Sequence, residues 1–287
     1  MHANLHINAI SRSDRRSAVA ASAYRSGRSV VACAAYRAGD QMQDERYGKT
    51  HDYTKKENVL HAEIITPEGS PAWMQNRQSL WNAVEAGEKR KDAQLAKEVV
   101  LVLPRNLTHE QHVEVVRGWV QDNLTSRGLV ADFAIHSPDA SDGGKNPHAH
   151  VMFTLRPVEG DSFGKKLTGY KDGGLDGREV LETFRFSYQD HLNRASTAND
   201  NKQVVFDLRS YKERGIDKTP QPKKGAKVTH LEKKGYRTTR GDEVRRTIAI
   251  NRAQQGWRNH IRTYELIGTG NKYSKNFLEA MRADVAE

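Results

Sequence analysis

Residues 133–156 read Phe-Ala-Ile-His-Ser-Pro-Asp-Ala-Ser-Asp-Gly-Gly-Lys-Asn-Pro-His-Ala-His-Val-Met-Phe-Thr-Leu-Arg. Two β-rich runs, 131–136 and 149–156, flank a connection at 137–147 rich in Ser, Asp, Gly and Pro. They predict neighbouring strands joined by a loop. Side chains two apart on a strand project to one face, so His148 and His150 point together. His136, ending the preceding strand, joins them if the two strands pair. Three convergent imidazoles form a metal site with coordination positions left open for substrate.

Outward from this stretch, residues 5–10 and 59–66 alternate like half-buried strands, and 97–103 is a β-rich run stopped by Pro104. Helices are predicted over 79–96, over 108–124 with Thr108 and Gln111 as a capping box, over 179–195 and over 243–266. An Ala-rich helical stretch begins at Ser17. Residues 40–58 are polar and turn-rich and read as a loop, and 160–177 is rich in Gly and Lys and reads as mobile. Strands and helices in no strict βαβ order predict an α+β sandwich with a mostly antiparallel sheet. A boundary near 230 separates it from a basic, largely helical C-terminal extension.

Glu98 starts an apolar strand, where a charge is costly unless it is paired or bound to a metal. It reads as a fourth metal ligand, as an acceptor orienting a histidine, or as a solvent-facing strand end. Residues 16–27 (RSAVAASAYRSG) and 28–39 (RSVVACAAYRAG) agree at eight of twelve positions. This local duplication yields two equivalent tyrosines, Tyr24 and Tyr36. A tyrosine hydroxyl can attack phosphorus and store the bond energy as phosphotyrosine, although a helical tyrosine more often packs.

The 287 residues carry a net charge of +10. Residues 201–287 hold 20 Lys+Arg against 10 Asp+Glu, which leaves 26 of each in residues 1–200. The excess is therefore confined to the C-terminal segment, as in an electrostatic arm for a polyanion. Arg25, Arg28, Arg37, Lys165, Lys166, Lys223, Lys224 and Lys227 are candidate phosphate contacts. Tyr170 and Tyr211 are candidate stacking platforms for bases. A single cysteine, Cys33, excludes an internal disulfide. With no secretory signal and no apolar run of membrane-spanning length, a cytoplasmic protein without membrane insertion is expected. The pattern G-x-x-x-x-G-K-[ST] is absent, so ATP-driven helicase activity is not expected of this chain.

Several ordered motifs together resemble the MobA/MobL, or MobQ-type, relaxases of mobilisable plasmids. They are ISRSDRRSAVAASAYRSG from Ile10, DERYGKTHDYTKKENVLHAEIITPEG from Asp44, LWNAVEAGEKRKDAQLAKEVVLVLP from Leu80, the His136–His150 stretch, and LEKKGYRTTRGDEVRR from Leu231. The resemblance implies the HUH endonuclease fold, a five-stranded, mostly antiparallel sheet flanked by helices. It implies a divalent cation, Mg²⁺ or Mn²⁺ with Zn²⁺, Co²⁺ or Ni²⁺ as alternatives, on His136, His148 and His150 with Glu98 nearby. The implied reaction nicks one DNA strand at an origin of transfer, leaves a 5′-phosphotyrosine, and later reseals it in the bacterial cytoplasm. The implied partners are single-stranded plasmid DNA, accessory relaxosome proteins and a type IV secretion coupling protein.

The family shows one Ala-Tyr-Arg segment where this chain has two. On one continuous helix, twelve residues add about 18 Å of rise and about 120° of rotation, so both hydroxyls cannot share one site. Anchoring the helix to the first strand favours Tyr24 as nucleophile; a break at Gly27 would reverse the choice, and alternating use of both tyrosines is the third alternative. The alternatives in function are a rolling-circle replication initiator, a non-catalytic origin-binding protein, and a metallohydrolase that forms no covalent intermediate.

Overall fold

The computed structural model describes residues 4–12, 29–140, 143–167, 169, 174–197 and 205–267. Tyr24, Arg25, Gly27, Arg28 and Tyr170 lie outside them. The chain forms two compact units, 1–208 and 209–287. The boundary expected near 230 falls inside a helix, Ala226–Lys233, and cannot separate units there.

In the first unit, strands β1 (Asn4–Ser11), β4 (Val59–Ile65), β5 (Gln94–Val102), β6 (Ala131–His136) and β7 (His148–Thr154) form one sheet, ordered β1-β5-β7-β6-β4. Every neighbouring pair is antiparallel. An α+β fold with a five-stranded antiparallel sheet is thus as expected. Helices α1 (Val30–Ala38) and α2 (Arg77–Gly87) pack on one face; α3 (His109–Asn123) and α4 (Arg178–Thr197) pack on the other. Small hairpins β2 (Gln41–Asp44)–β3 (Lys49–Asp52) and β8 (Val158–Glu159)–β9 (Ser162–Phe163) complete the unit.

The two faces have separate cores. Val99, Leu101, Phe133, Ile135, Val151 and Phe153 meet Trp119 of α3 and Phe184 and Tyr188 of α4. On the opposite face, Ala96 and Met152 meet Val30, Val31 and Ala34 of α1 and Leu80 and Trp81 of α2. Burial of this apolar area supplies the main favourable term for both layers.

Local signals set the helix ends. Ser29, in extended conformation, caps α1 by accepting from the amides of Val31 and Ala32, so α1 begins there. Gly39 ends it at φ 66°, a backbone conformation that favours glycine, and a Cβ there would stand 3.1 Å from Val59 Cγ2, which would have to give way. Thr108 and Gln111 form the expected capping box on α3. The helix predicted over 79–96 is shorter than expected. It stops at Gly87, and Leu95 and Ala96 belong to β5, where they fill the core beneath α1 and α2. Residues 40–58 are not simply a loop, because Met42 and His51 pair across the β2–β3 hairpin.

The second unit carries α5 (Ala226–Lys233) and α6 (Thr239–Ile267). Asn251 of α6 exchanges two hydrogen bonds with the backbone of Thr219, at 2.9 and 3.0 Å. Among the described residues no helix is long and apolar enough to cross a membrane.

Candidate metal centre and the helix beside it

Register alone brings the histidines together. His136 pairs with His148, and Ala134 with His150, across β6 and β7. Directly opposed residues share a face, so all three imidazoles stand on the α1 side of the sheet. Their ring centroids lie 4.9–5.5 Å apart. One ligand nitrogen from each lies within 4.8 Å of the others. The strand includes His148 itself, one residue earlier than expected.

Each ring has an acceptor on one nitrogen. His136 Nε2 meets the Arg37 carbonyl at 2.7 Å, His148 Nδ1 meets the Asn146 carbonyl at 2.8 Å, and His150 Nδ1 meets Glu98 Oε1 at 2.7 Å. An acceptor at one nitrogen holds the proton there and leaves the other nitrogen free to ligate. Burial pushes His136 down to about 3, against the opposing pull of the Arg37 carbonyl, and Lys56 lowers it further. Burial lowers His148 in the same way. Neutral, pre-oriented imidazoles are the form a divalent cation requires, so these residues fit the expected metal.

Glu98 lies on the same face but outside the converging ligand set. Its Oε1 accepts from His150 and, at 2.5 Å, from Arg37 Nε. Burial alone would raise its pKa. The Arg37 guanidinium and the His150 N–H outweigh that and hold the carboxyl well below the usual carboxylate range. Glu98 thus stands where it can orient His150, outside the ligand atoms that converge.

Arg37, expected at a phosphate, is instead buried. Its Nε is bound to Glu98 and its Nη1 to the Cys33 carbonyl at 2.8 Å. It links α1 to β5. The start of α1 is tied as well, because Glu85 Oε2 accepts from the Val30 amide while Arg12 grips the same carboxylate. The helix is thus fixed at both ends.

Tyr36 lies on the last turn of α1, half-buried. Its ring meets Tyr53 edge-on at 5.2 Å. Lys56 Nζ stands 3.9 Å over the Tyr36 ring, donates to the Tyr36 carbonyl at 2.8 Å, and lies 3.4 Å from His136 Nε2. Burial, followed by the Arg37 charge, lowers the Lys56 ammonium to about 8. Nothing in the sequence singled out Lys56, which follows Lys55 in a polar stretch.

Among the remaining basic candidates, Lys166 is bound to the Gln94 carbonyl and to Glu88, so it braces the fold. Lys224 pairs with Glu232. Lys165, Lys223 and Lys227 are exposed. Lys218 Nζ stands 5.3 Å over the Tyr211 ring.

An antiparallel sheet layered by helices, with three oriented histidines beside a clamped tyrosine helix, defines an α+β protein with a candidate metal centre. The chain belongs to the MobA/MobL family, whose sequence model matches residues 28–234. It is 35% identical over 244 residues to the conjugal transfer protein TraA of Agrobacterium fabrum, covering 76% of this chain and 20% of that protein. It is 32% identical over 270 residues to the mobilization protein MobL of Acidithiobacillus ferridurans, covering 84% of this chain and 65% of that protein. The chain thus spans about a fifth of TraA. A solved structure described as "Molecular Basis of Vancomycin Resistance Transfer in Staphylococcus aureus" superposes with a TM-score of 0.62 at 22% identity, over 74% of this chain and 100% of that one. That likeness is one of fold.

Proposed function

We propose that this chain is a relaxase: it nicks one strand of plasmid DNA at an origin of transfer, holds the 5′ phosphate on a tyrosine, and later reseals the strand. Membership of the MobA/MobL family and relatives named for conjugal transfer and mobilisation support this reading. The observation that carries it is the clamp on α1, in which Lys56 contacts both Tyr36 and His136.

On this reading Tyr36 is the nucleophile. The extended backbone at Ser29 removes the continuous helix that favoured Tyr24, and Tyr36 shares a neighbour with the histidine centre. Its oxygen attacks phosphorus as the phenolic proton departs to solvent. The 3′ oxygen leaves, takes up a proton, and the strand stays joined to Tyr36. Resealing reverses the step, with the 3′ hydroxyl attacking and the tyrosine leaving. A divalent cation on His136, His148 and His150 would neutralise non-bridging phosphate oxygens; Mg²⁺ or Mn²⁺ suits the phosphate, and Zn²⁺, Co²⁺ or Ni²⁺ suits the imidazoles. Glu98 and Arg37 keep His150 in its ligating tautomer and hold α1 against β5. The partners are single-stranded origin DNA and, for a longer parent protein, accessory and coupling proteins of transfer.

The test uses Mn²⁺ and labelled single-stranded fragments tiling the plasmid that encodes the protein. The expected product is a covalent protein–DNA adduct that survives denaturation, is lost in Tyr36→Phe, and persists in Tyr24→Phe. Cleavage without an adduct would mean a hydrolase. Binding without cleavage would mean a non-catalytic origin protein.

A further inference from the structure

Lys56 contributes more to the site than a helix cap requires. Capping needs only a donor at the last-turn carbonyl, and the bond to the Tyr36 carbonyl supplies that. Yet the ammonium also lies over the face of the same tyrosine, 3.9 Å from its centroid, in a half-buried position. The loop that carries it is built to hold it there. The Lys56 amide donates to the Tyr53 carbonyl, the Tyr53 amide to the Asp40 carbonyl, and Tyr53 braces the Tyr36 ring. Like charge faces Lys56 from Arg37, which makes the position electrostatically costly. Among the described residues, the ammonium bonds no acidic side chain.

We propose that Lys56 is a positioning residue for the nucleophile, holding the Tyr36 ring in place and offsetting the negative charge the phenol carries when it attacks and when it leaves. The inference rests on the reading of Tyr36 as nucleophile. A cation over a neutral ring gains a modest quadrupole attraction. Over a phenolate it faces a full opposite charge in a partly desolvated site, where the interaction is stronger. The stabilisation thus grows toward the transition states of both nicking and resealing, the condition for raising a rate rather than tightening binding. His136 Nε2 already donates to the Arg37 carbonyl, so Lys56 stands beside that histidine without bonding it.

Three variants separate charge from capping. Lys56→Gln keeps a donor for the Tyr36 carbonyl but removes the charge, Lys56→Arg keeps the charge, and Tyr36→Phe removes the nucleophile. Single-turnover nicking of the labelled fragment is measured with Mn²⁺, alongside KM and melting temperature. We expect Lys56→Gln to lower kcat by about ten- to thirtyfold with KM and melting temperature unchanged, and resealing of the isolated adduct to slow by a similar factor. Lys56→Arg should stay within about threefold of wild type on the same scale. Wild-type kcat in Lys56→Gln, or a change confined to KM or to melting temperature, overturns the proposal. An adduct that persists in Tyr36→Phe overturns the tyrosine reading itself and the role of Lys56 with it.

Discussion

The two faces of the central sheet are built from alternate residues of the same strands, yet they do different work. Toward α3 and α4, Val99, Leu101, Phe133, Val151 and Phe153 present only hydrocarbon. Toward α1, the intervening positions begin as hydrocarbon, with Ala96 and Met152, and then become Glu98, His150, His148 and His136. The first face is mainly core, and the charges on it are paired, Lys97 with Asp176 and Glu63 with Arg117. On the second, buried polar groups are retained at a desolvation cost, and each is matched to a partner. A one-residue slip in register would exchange the faces and scatter the histidines. The histidine cluster therefore depends on the largely apolar face for its geometry.

Breaking the apolar face should give the largest effect on stability. Trp119 is fully buried and donates to the Phe184 carbonyl at 3.0 Å. Trp119→Ala should cost about 3–5 kcal/mol in chemical denaturation. The fraction that remains folded should still bind metal. On the other face, His136→Ala should leave the fold standing while metal-dependent nicking falls on the order of a thousandfold, the loss of several kcal/mol of charge stabilisation. Oligonucleotide cleavage and calorimetric metal titration measure the two halves of that prediction. Glu98→Gln is milder, because the ligands survive but the acceptor for His150 weakens. Metal affinity should fall by about ten- to a hundredfold. Smallest of all, Lys165→Ala or Lys227→Ala should weaken single-strand binding slightly and lower the log–log salt slope by roughly 0.7 for each phosphate no longer neutralised.

The same comparison explains what was legible in the sequence. The histidine centre was readable because β-periodicity fixes i and i+2 on one face, and because a Pro- and Gly-rich connection marks His136 and His148 as strand neighbours. The sheet and the capped helix α3 were readable for similarly local reasons. The position of Arg37 was not. Its partner Glu98 is 61 residues away, and only the packing of α1 on β5 brings the two together. Lys56 was hidden for the same reason, since a lysine in a polar stretch carries no local mark of burial. The β2–β3 hairpin was obscured by turn-rich composition, although Met42 and Asp44 are both buried in it. The preference for Tyr24 rested on one helix running through residues 24–36, and the extended backbone of Ser29, which caps α1, is a feature that composition does not mark.

The most direct test of the site is to locate the DNA on the protein. Nick the cognate strand with Mn²⁺, trap the adduct, trim it to a single nucleotide and digest with trypsin. The duplicated segments give distinct peptides, SAVAASAYR for residues 17–25 and SVVACAAYR for residues 29–37. The nucleotide mass should appear on the second peptide, at Tyr36. Its appearance on the first peptide, at Tyr24, would contradict the assignment of the clamped α1 tyrosine as the nucleophile.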